Sequence, residues 1–222
     1  TVGNLVESRT WGTGWTAVEF FKIGGTIYHL ELHPDGTVHV VRMNADGTCG
    51  AHVESYYWPD GWTTAEFYTI ENRTYLFLLK KDNGAVQIYR MNSDGSVGPR
   101  IAEHDWTSGW TTARFYTVRY VPYLFLLKEA EGVVHIHEMK VDGTIGAQIA
   151  NYNWSSGWTT AEFYSIGTDT YLFLLKEGDG TVQIYKMNAN GTLGPQTYTQ
   201  QLDRQFLGRW RARLFTLDVP PP

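Results

Sequence analysis

A ten-residue motif that recurs at a fixed interval constrains the fold of this chain more than any other feature. Residues 61–70 read GWTTAEFYTI, close copies occupy residues 109–118 and 157–166, and a more divergent copy occupies residues 14–23. The tryptophan of the motif recurs first after 47 residues and then twice after 48 residues. A repeat of roughly 40–50 residues with several strand-like runs is typical of a β-propeller, in which each repeat supplies one four-stranded blade.

Each repeat divides into four short strands joined by turns that end in glycine. In the second repeat these are residues 49–57, 62–70, 74–80 and 85–91, and the last two are rich in β-branched and aromatic side chains. Polar turns that end in glycine follow the third strand and the fourth strand. Because glycine adopts the positive φ that such hairpins need, these strands are predicted to form a meander.

The third strand of the repeat is apolar on both faces. Residues 75–79 read YLFLL. A strand of this kind is covered on both faces. Packing of each blade between two neighbours supplies that cover, which favours an all-β propeller with about 48 residues per four-stranded blade.

The repeat count favours four blades within a single domain that spans residues 1–222. The full repeats are residues 1–47, 48–95, 96–143 and 144–191. Residues 192–222 restart the pattern and are expected to form a closing strand or an arm. We expect residues 1–9 to complete the last blade as a strap. A five-bladed propeller, or one completed by another molecule, is the alternative.

Composition bounds the partners and cofactors. The net charge of −5 gives no reason to expect a nucleic-acid partner. Cys49 is the single cysteine, which excludes an internal disulfide and a cysteine metal cluster. The apolar runs are too short to span a bilayer and no signal peptide is visible, so a soluble protein, cytoplasmic or secreted, is expected. No cofactor is predicted.

Another tryptophan stands four residues before the tryptophan of each motif, which gives the pattern W-x-x-G-W-T. We call the earlier residue of each pair the first tryptophan and the motif residue the second. At this interval the pattern resembles that of the tectonin and tachylectin-2-type propeller lectins, over about residues 1–191. The resemblance implies a sugar site between adjacent blades, walled by the first tryptophan and its small polar neighbours. The residues implied are Trp11, Trp58, Asp60, Trp106, Ser108, Trp154 and Ser156.

Tryptophan suits a sugar site for a physical reason. Its face packs on the C–H groups of a sugar ring while its N–H donates a hydrogen bond, at little cost in side-chain entropy. The competing interpretation is packing between blades. We expect packing for Trp62, Trp110 and Trp158, which lie next to small residues. For the first tryptophan of each pair, packing and ligand binding both stay open.

The repeats are not equivalent, because the first and third change toward ionisable residues. The third strand of the first repeat carries His29 and Glu31, which we align with Phe77 and Leu79 of the second. The remaining changes, relative to the second and fourth repeats, are His39 and His135 for glutamine, His137 for tyrosine and Arg114 for glutamate. A propeller with one specialised pocket would break its symmetry in this way.

Strand geometry predicts how the substituted residues meet. A short hairpin with a bulge at Gly36 places Glu31 opposite His39, with His29 on the same face. This patch has three interpretations: a catalytic His–carboxylate pair, a less supported metal site, or divergence of an apolar pair into a satisfied polar pair. The candidates for an enzyme are His29, Glu31, His39, Arg114, His135 and His137.

The motif strand also carries a ring of ionisable residues. Three acids, Glu19, Glu66 and Glu162, correspond to Arg114 in the third repeat. By strand alternation Tyr68, Tyr116 and Tyr164 share their face. These side chains either line a central channel that selects a cationic or polar guest or form ion pairs between blades.

The sequence is therefore consistent with three functional hypotheses. The leading hypothesis is a multivalent carbohydrate-binding lectin, with a glycan or small-molecule ligand and no catalysis. The second is an enzyme that uses the propeller as a scaffold for one pocket in the first and third repeats. The third is a protein-docking module, or a homo-oligomer, that uses the C-terminal arm, where residues 204–213 carry four arginines.

Overall fold

A computed structural model describes residues 4–10 and 14–202 of the chain, and the statements below concern those residues. They form sixteen antiparallel strands and no helix. The strands are β1 (Ala17–Ile23), β2 (Thr26–Leu32), β3 (Thr37–Met43), β4 (Cys49–Tyr57), β5 (Thr64–Ile70), β6 (Arg73–Leu79), β7 (Ala85–Met91), β8 (Val97–Asp105), β9 (Thr112–Val118), β10 (Val121–Lys128), β11 (Val133–Met139), β12 (Ile145–Asn153), β13 (Thr160–Ile166), β14 (Asp169–Lys176), β15 (Thr181–Met187) and β16 (Leu193–Gln201).

The strands form four sheets of four consecutive strands each: β1–β4, β5–β8, β9–β12 and β13–β16. This organisation confirms the predicted fold class, an all-β chain with four four-stranded propeller blades. The bounds of β4 and β7 match the predicted strands, and those of β5 and β6 differ from them by one or two residues. The described residues contain no helix with the length and apolar character needed to cross a membrane.

The edge of the last sheet corrects one prediction. β16 pairs with β15, so the fourth sheet is completed by residues that follow it in the chain, and the strap predicted for residues 1–9 is wrong. Residues 4–9 lie outside any strand, and the Glu7 carboxylate accepts the Cys49 N–H over 2.6 Å at the start of β4. Residues 203–222, with the arginine-rich stretch, lie outside the described residues.

The described chain divides into two compact units. The first contains β1–β8 together with the turn Val141–Thr144, and the second contains β9–β12 and β13–β16 without that turn. In the first unit, β6 is buried on both faces, with Leu76, Phe77 and Leu78 fully inaccessible, as its apolar run predicts. In the second unit, Leu124 and Phe125 of β10 are buried to the same extent.

Aromatic rings join consecutive sheets within each unit. In the first unit, Phe67 of β5 stacks on Phe21 of β1, with ring centroids 4.1 Å apart. In the second unit, Phe163 of β13 stacks on Tyr116 of β9 at 4.0 Å, and the Tyr116 hydroxyl donates to the Gly191 carbonyl. Stacked pairs of this kind add about 0.5–1.5 kcal/mol beyond area burial. The same motif strand therefore supplies the packing contact in both units.

Candidate functional site

The loops that carry the first tryptophan of each pair are fixed to a hairpin turn. The Trp58 N–H donates to the Gly36 carbonyl over 2.9 Å. Gly36 has φ +89°, and a Cβ at this position would lie 1.8 Å from the Trp58 carbonyl oxygen, so only glycine fits. The same bond recurs between Trp106 and Gly84 and between Trp154 and Gly132.

The first tryptophans are half-buried and contact other aromatic rings. Trp58 stacks on Tyr89 with ring centroids 5.9 Å apart and on Tyr56 at 5.8 Å. Trp154 stacks on Tyr152 at 6.2 Å, and Trp106 stacks on His104 at 5.9 Å. Each ring therefore packs against its own unit and keeps part of its surface in solvent. Trp11, the counterpart in the first repeat, lies outside the described residues.

The other members of the W-x-x-G-W-T pattern differ in their exposure to solvent. The small polar residues of the loops, Asp60, Ser108 and Ser156, are exposed. The second tryptophans are buried, with exposed fractions of 4% for Trp62, 3% for Trp110 and 4% for Trp158. The prediction that these second tryptophans serve packing is confirmed.

A lysine covers each second tryptophan, a feature that the sequence reasoning missed. The ammonium group lies 4.8 Å from the ring centroid for Lys80 over Trp62 and for Lys176 over Trp158. Lys128 lies 5.1 Å from the ring of Trp110. Cation–π contacts of this kind contribute about 0.5–2 kcal/mol, depending on their exposure. The available signal was the lysine that follows the YLFLL-type run in three repeats.

The first repeat replaces this lysine with a histidine. His33 occupies the position just after β2, and its ring meets Trp15 edge to face at 5.3 Å. The indole N–H groups of Trp15, Trp62 and Trp158 are buried and have no hydrogen-bond acceptor among the described residues. A buried donor without an acceptor costs about 1–3 kcal/mol, so a hydrogen bond from the indole N–H is not what holds these tryptophans in place.

The polar patch of the first sheet requires a corrected alignment. In the strand pairing, His29 lies opposite Phe20 as Leu76 lies opposite Phe67, so His29 and Glu31 correspond to Leu76 and Leu78. The predicted correspondence to Phe77 and Leu79 is therefore wrong by one residue. The reason is the turn after this strand, which has four residues in the first sheet (33–36) and five in the second (80–84).

The structure brings the patch together as the register argument predicted. Glu31 pairs opposite His39, and the Glu31 carboxylate lies 2.8 Å from the Nε2 atom of His29. His29 and Glu31 are both buried, with exposed fractions of 1% and 7%. The pair has no counterpart in the second sheet, where both positions are leucine.

A serine that sequence reasoning missed extends the patch. The Ser55 hydroxyl lies 2.8 Å from Nδ1 of His39 and 2.8 Å from Nε2 of His52. His39 and Ser55 are directly opposite each other across β3 and β4. Within residues 4–10 and 14–202, no group of three or more His, Cys, Asp and Glu side chains is placed to hold a metal ion. The metal site considered for His29, Glu31 and His39 is therefore not formed.

The histidines of the third repeat lie in the second unit. His135 and His137 share a face of β11, with ring centroids 6.2 Å apart, as predicted. The ring of His135 lies 4.8 Å from that of Trp110. Burial, with a smaller contribution from the charge of Lys128, lowers the pKa of His135 below its ordinary value. This favours the neutral imidazole.

Part of the ionisable set on the motif strands forms an ion pair or packs in the core. The Arg114 guanidinium donates to the Glu162 carboxylate from Nε over 3.1 Å and from Nη2 over 3.0 Å. Tyr68 and Tyr116 are buried, and their hydroxyls donate to the Gly143 and Gly191 carbonyls within their own units. Burial raises the pKa of both tyrosines. The other members of the set, Glu19, Glu66 and Tyr164, are half-buried.

The second unit also contains a cleft of about 310 Å³. Arg119, Asp169, Lys186 and Asn188 contribute its polar lining. Lys186 and Asp169 form an ion pair of 2.6 Å, which raises the pKa of the lysine. None of these residues was a candidate from the sequence.

Comparison with known proteins gives the fold and no family. No model of a protein family matches the chain, and no curated protein matches it. The periplasmic gluconolactonase of Pseudomonas aeruginosa aligns with a TM-score of 0.56 and 13% identity, over 81% of this chain and 52% of that one. The alignment covers 81% of this chain and 71% of an α-L-arabinofuranosidase from Clostridium thermocellum, with a TM-score of 0.59 and 10% identity.

An exo-β-1,3-galactanase from Phanerochaete chrysosporium aligns with a TM-score of 0.59 and 8% identity, over 83% of this chain and 49% of that one. The chain spans about half the length of this galactanase and of the gluconolactonase. At such identities the likeness concerns the fold alone. Together with the four four-stranded sheets, it assigns the chain to the β-propeller class.

Proposed function

We propose that this chain is a carbohydrate-binding propeller protein of the tectonin and tachylectin-2 type, with repeated sugar sites at Trp58, Trp106 and Trp154. The observation that carries the proposal is the threefold recurrence of one arrangement. In each copy a half-buried tryptophan is fixed to a hairpin glycine by its backbone and is followed within two residues by an exposed small polar side chain. A rigid aromatic face beside polar groups is what a sugar ring requires.

The known proteins of similar fold support this proposal in one respect. An arabinofuranosidase and a galactanase, by their names, act on carbohydrates. Weak single sites would then gain strength through valency, because several linked sites bind one multivalent glycan. The proposal needs no catalytic group.

Ligand stoichiometry tests the proposal directly. We expect native mass spectrometry of the whole chain with a pool of neutral and acidic oligosaccharides to show at least three bound ligands. Each of the single variants Trp58→Ala, Trp106→Ala and Trp154→Ala should lose one bound ligand. Replacement of the same residues by phenylalanine should retain most binding. A single bound ligand that survives all three alanine variants would contradict the repeated-site proposal.

A second candidate function, an enzyme, is favoured by one observation in the first sheet. The Ser55 hydroxyl lies within hydrogen-bond distance of two imidazoles, those of His39 and His52. A histidine next to a hydroxyl is the arrangement that activates a serine nucleophile. If the chain is an enzyme, we expect it to hydrolyse members of a panel of lactones and esters, with one active site per chain. The variant His39→Gln should then abolish turnover. An inactive wild-type protein would remove this candidate.

The protein-docking hypothesis depends on residues 204–213, which lie outside the described residues. It stays a prediction, as does self-association through the same segment. Removal of residues 203–222 should weaken partner binding or lower the mass measured by light scattering. An unchanged mass and unchanged binding would remove the main argument for both.

A further inference from the structure

The lysine in the fourth-sheet loop contacts a hydroxyl group as well as an aromatic ring. The Lys176 ammonium donates to the Ser155 hydroxyl over 2.6 Å and lies 4.8 Å from the ring centroid of Trp158. Trp158 is buried, whereas Lys176 is half-buried and Ser155 is exposed. The ammonium group therefore rests on a rigid aromatic base and keeps two N–H donors for other acceptors.

The backbone on both sides of Lys176 is held in place. The Thr159 hydroxyl donates to the Leu175 carbonyl over 3.2 Å and accepts the Glu177 N–H over 3.2 Å. One threonine thus connects the W-x-x-G-W-T loop to the residues before and after the lysine. The position of the charge relative to the loop is set before any ligand arrives.

The corresponding lysines elsewhere have other polar contacts. Lys80 donates to the backbone carbonyl of Asp60, whose exposed carboxylate belongs to the same loop. Lys128 pairs with Glu131 at 3.6 Å. In the fourth-sheet loop, Ser155 and Ser156 replace Pro59 and Asp60.

Two acids follow Lys176 in the chain. Glu177 and Asp179 are exposed, and the Asp179 carboxylate accepts the Thr181 N–H over 2.8 Å. The loop at Lys176 therefore combines a fixed positive charge, two hydroxyls and the Trp154 ring. An anionic group is the ligand chemistry that such a set favours, because charge-assisted hydrogen bonds are the stronger ones.

We propose that the fourth-sheet loop is specific for an acidic saccharide, with the sugar ring on Trp154 and its carboxylate or sulfate at Lys176 and Ser156. This inference rests on the proposed carbohydrate-binding function and adds the substrate class of one of its sites. The second-sheet loop, with Asp60, takes neutral sugars in preference. The molecule thus presents at least two sites of different charge preference.

Titration calorimetry of the whole chain with three matched probes tests this. The probes are a galacturonate oligomer, a neutral galactose oligomer and a sulfated galactose oligomer of equal length. We expect Lys176→Met to weaken binding of the acidic probes at one site roughly five- to tenfold, and Lys176→Arg to retain it. Lys80→Met is the matched control and should leave the acidic site unchanged. Comparison of the two acidic probes distinguishes carboxylate from sulfate recognition.

The outcomes separate the inference from the proposed function. Equal binding of neutral and acidic probes, unaffected by Lys176→Met in a variant that keeps the wild-type melting temperature, overturns the acidic site and leaves the lectin proposal standing. Absence of binding by all three probes overturns both. Equal losses in Lys176→Met and Lys80→Met overturn the difference between the two loops.

Discussion

The first and second sheets share one register but differ on one face. Across the second sheet, Leu78 and Gln87 lie opposite each other, and Leu76 is on the same face. Across the first sheet, the same positions hold Glu31, His39 and His29. The strand register is the same in both, so the difference lies in the side chains on this face.

In the second sheet this face packs on the first sheet. Leu76 and Leu78 belong to the apolar cluster of the first unit, and Phe67 stacks on Phe21. In the first sheet, Phe20, the counterpart of Phe67, is 46% exposed, whereas His29 and Glu31 are buried. This face of the first sheet therefore combines an exposed ring with a buried polar pair whose members lie 2.8 Å apart.

The largest effect is expected when the second sheet is given the residue of the first. Leu78→Glu places a carboxyl group in a site with no accessible surface, within the apolar cluster of the first unit. We expect a loss of about 3–5 kcal/mol in the free energy of unfolding, measured by urea denaturation. The control Leu78→Met should cost under about 1.5 kcal/mol. A loss below 1 kcal/mol for the glutamate would mean that this face of the second sheet accommodates a carboxyl group as the first sheet does.

A smaller loss is expected when the pair in the first sheet is broken. Glu31→Leu leaves Nε2 of the buried His29 without the carboxylate that now lies 2.8 Å away. We expect a loss of about 1–3 kcal/mol, the cost of removing a hydrogen-bond partner from a buried polar group. Glu54→Leu, at an exposed position, is the control. An unchanged urea midpoint for Glu31→Leu would show that the pair contributes nothing to the fold.

Replacement of both members of the pair tests whether the polar patch is kept for stability. A buried polar pair is often no more stabilising than apolar residues of similar volume. We expect His29→Leu with Glu31→Leu to lie within about 1 kcal/mol of wild type, or to stabilise the protein. A loss larger than that of Glu31→Leu alone would mean that the patch is structural, which would remove the main reason to look for chemistry there.

The sequence predicted what depends on local pattern and missed what depends on loop length and on contacts between loops. The apolar run 75–79, the glycine turns and the Glu31–His39 register follow from alternation and turn chemistry, and the structure has them. The alignment of His29 was wrong because a one-residue deletion lies in the turn after β2, where polar residues give no reference point. The contact between Lys176 and Trp158 was not predicted, because it depends on how a loop lies over the end of a strand.

The third sheet combines features of the first two. It has a histidine at the position of His39 in the first sheet, but the residue opposite is a leucine, as in the second sheet. His135 pairs opposite Leu126, as His39 pairs opposite Glu31. Burial first and Lys128 second lower the pKa of His135 in the folded protein, so between that pKa and the ordinary value the unfolded chain binds more protons.

The stabilising contribution of neutral His135 is therefore complete above about pH 6.5 and is lost as the pH falls through the lowered pKa. We expect the melting temperature of wild type to fall slightly more between pH 7.5 and 5 than that of His135→Gln, the residue of the second and fourth sheets. The effect is the smallest of the four because the histidine is half-buried. Identical pH profiles would mean that His135 is solvated as fully as in the unfolded chain, and that the leucines beside it do not extend the apolar face to this position.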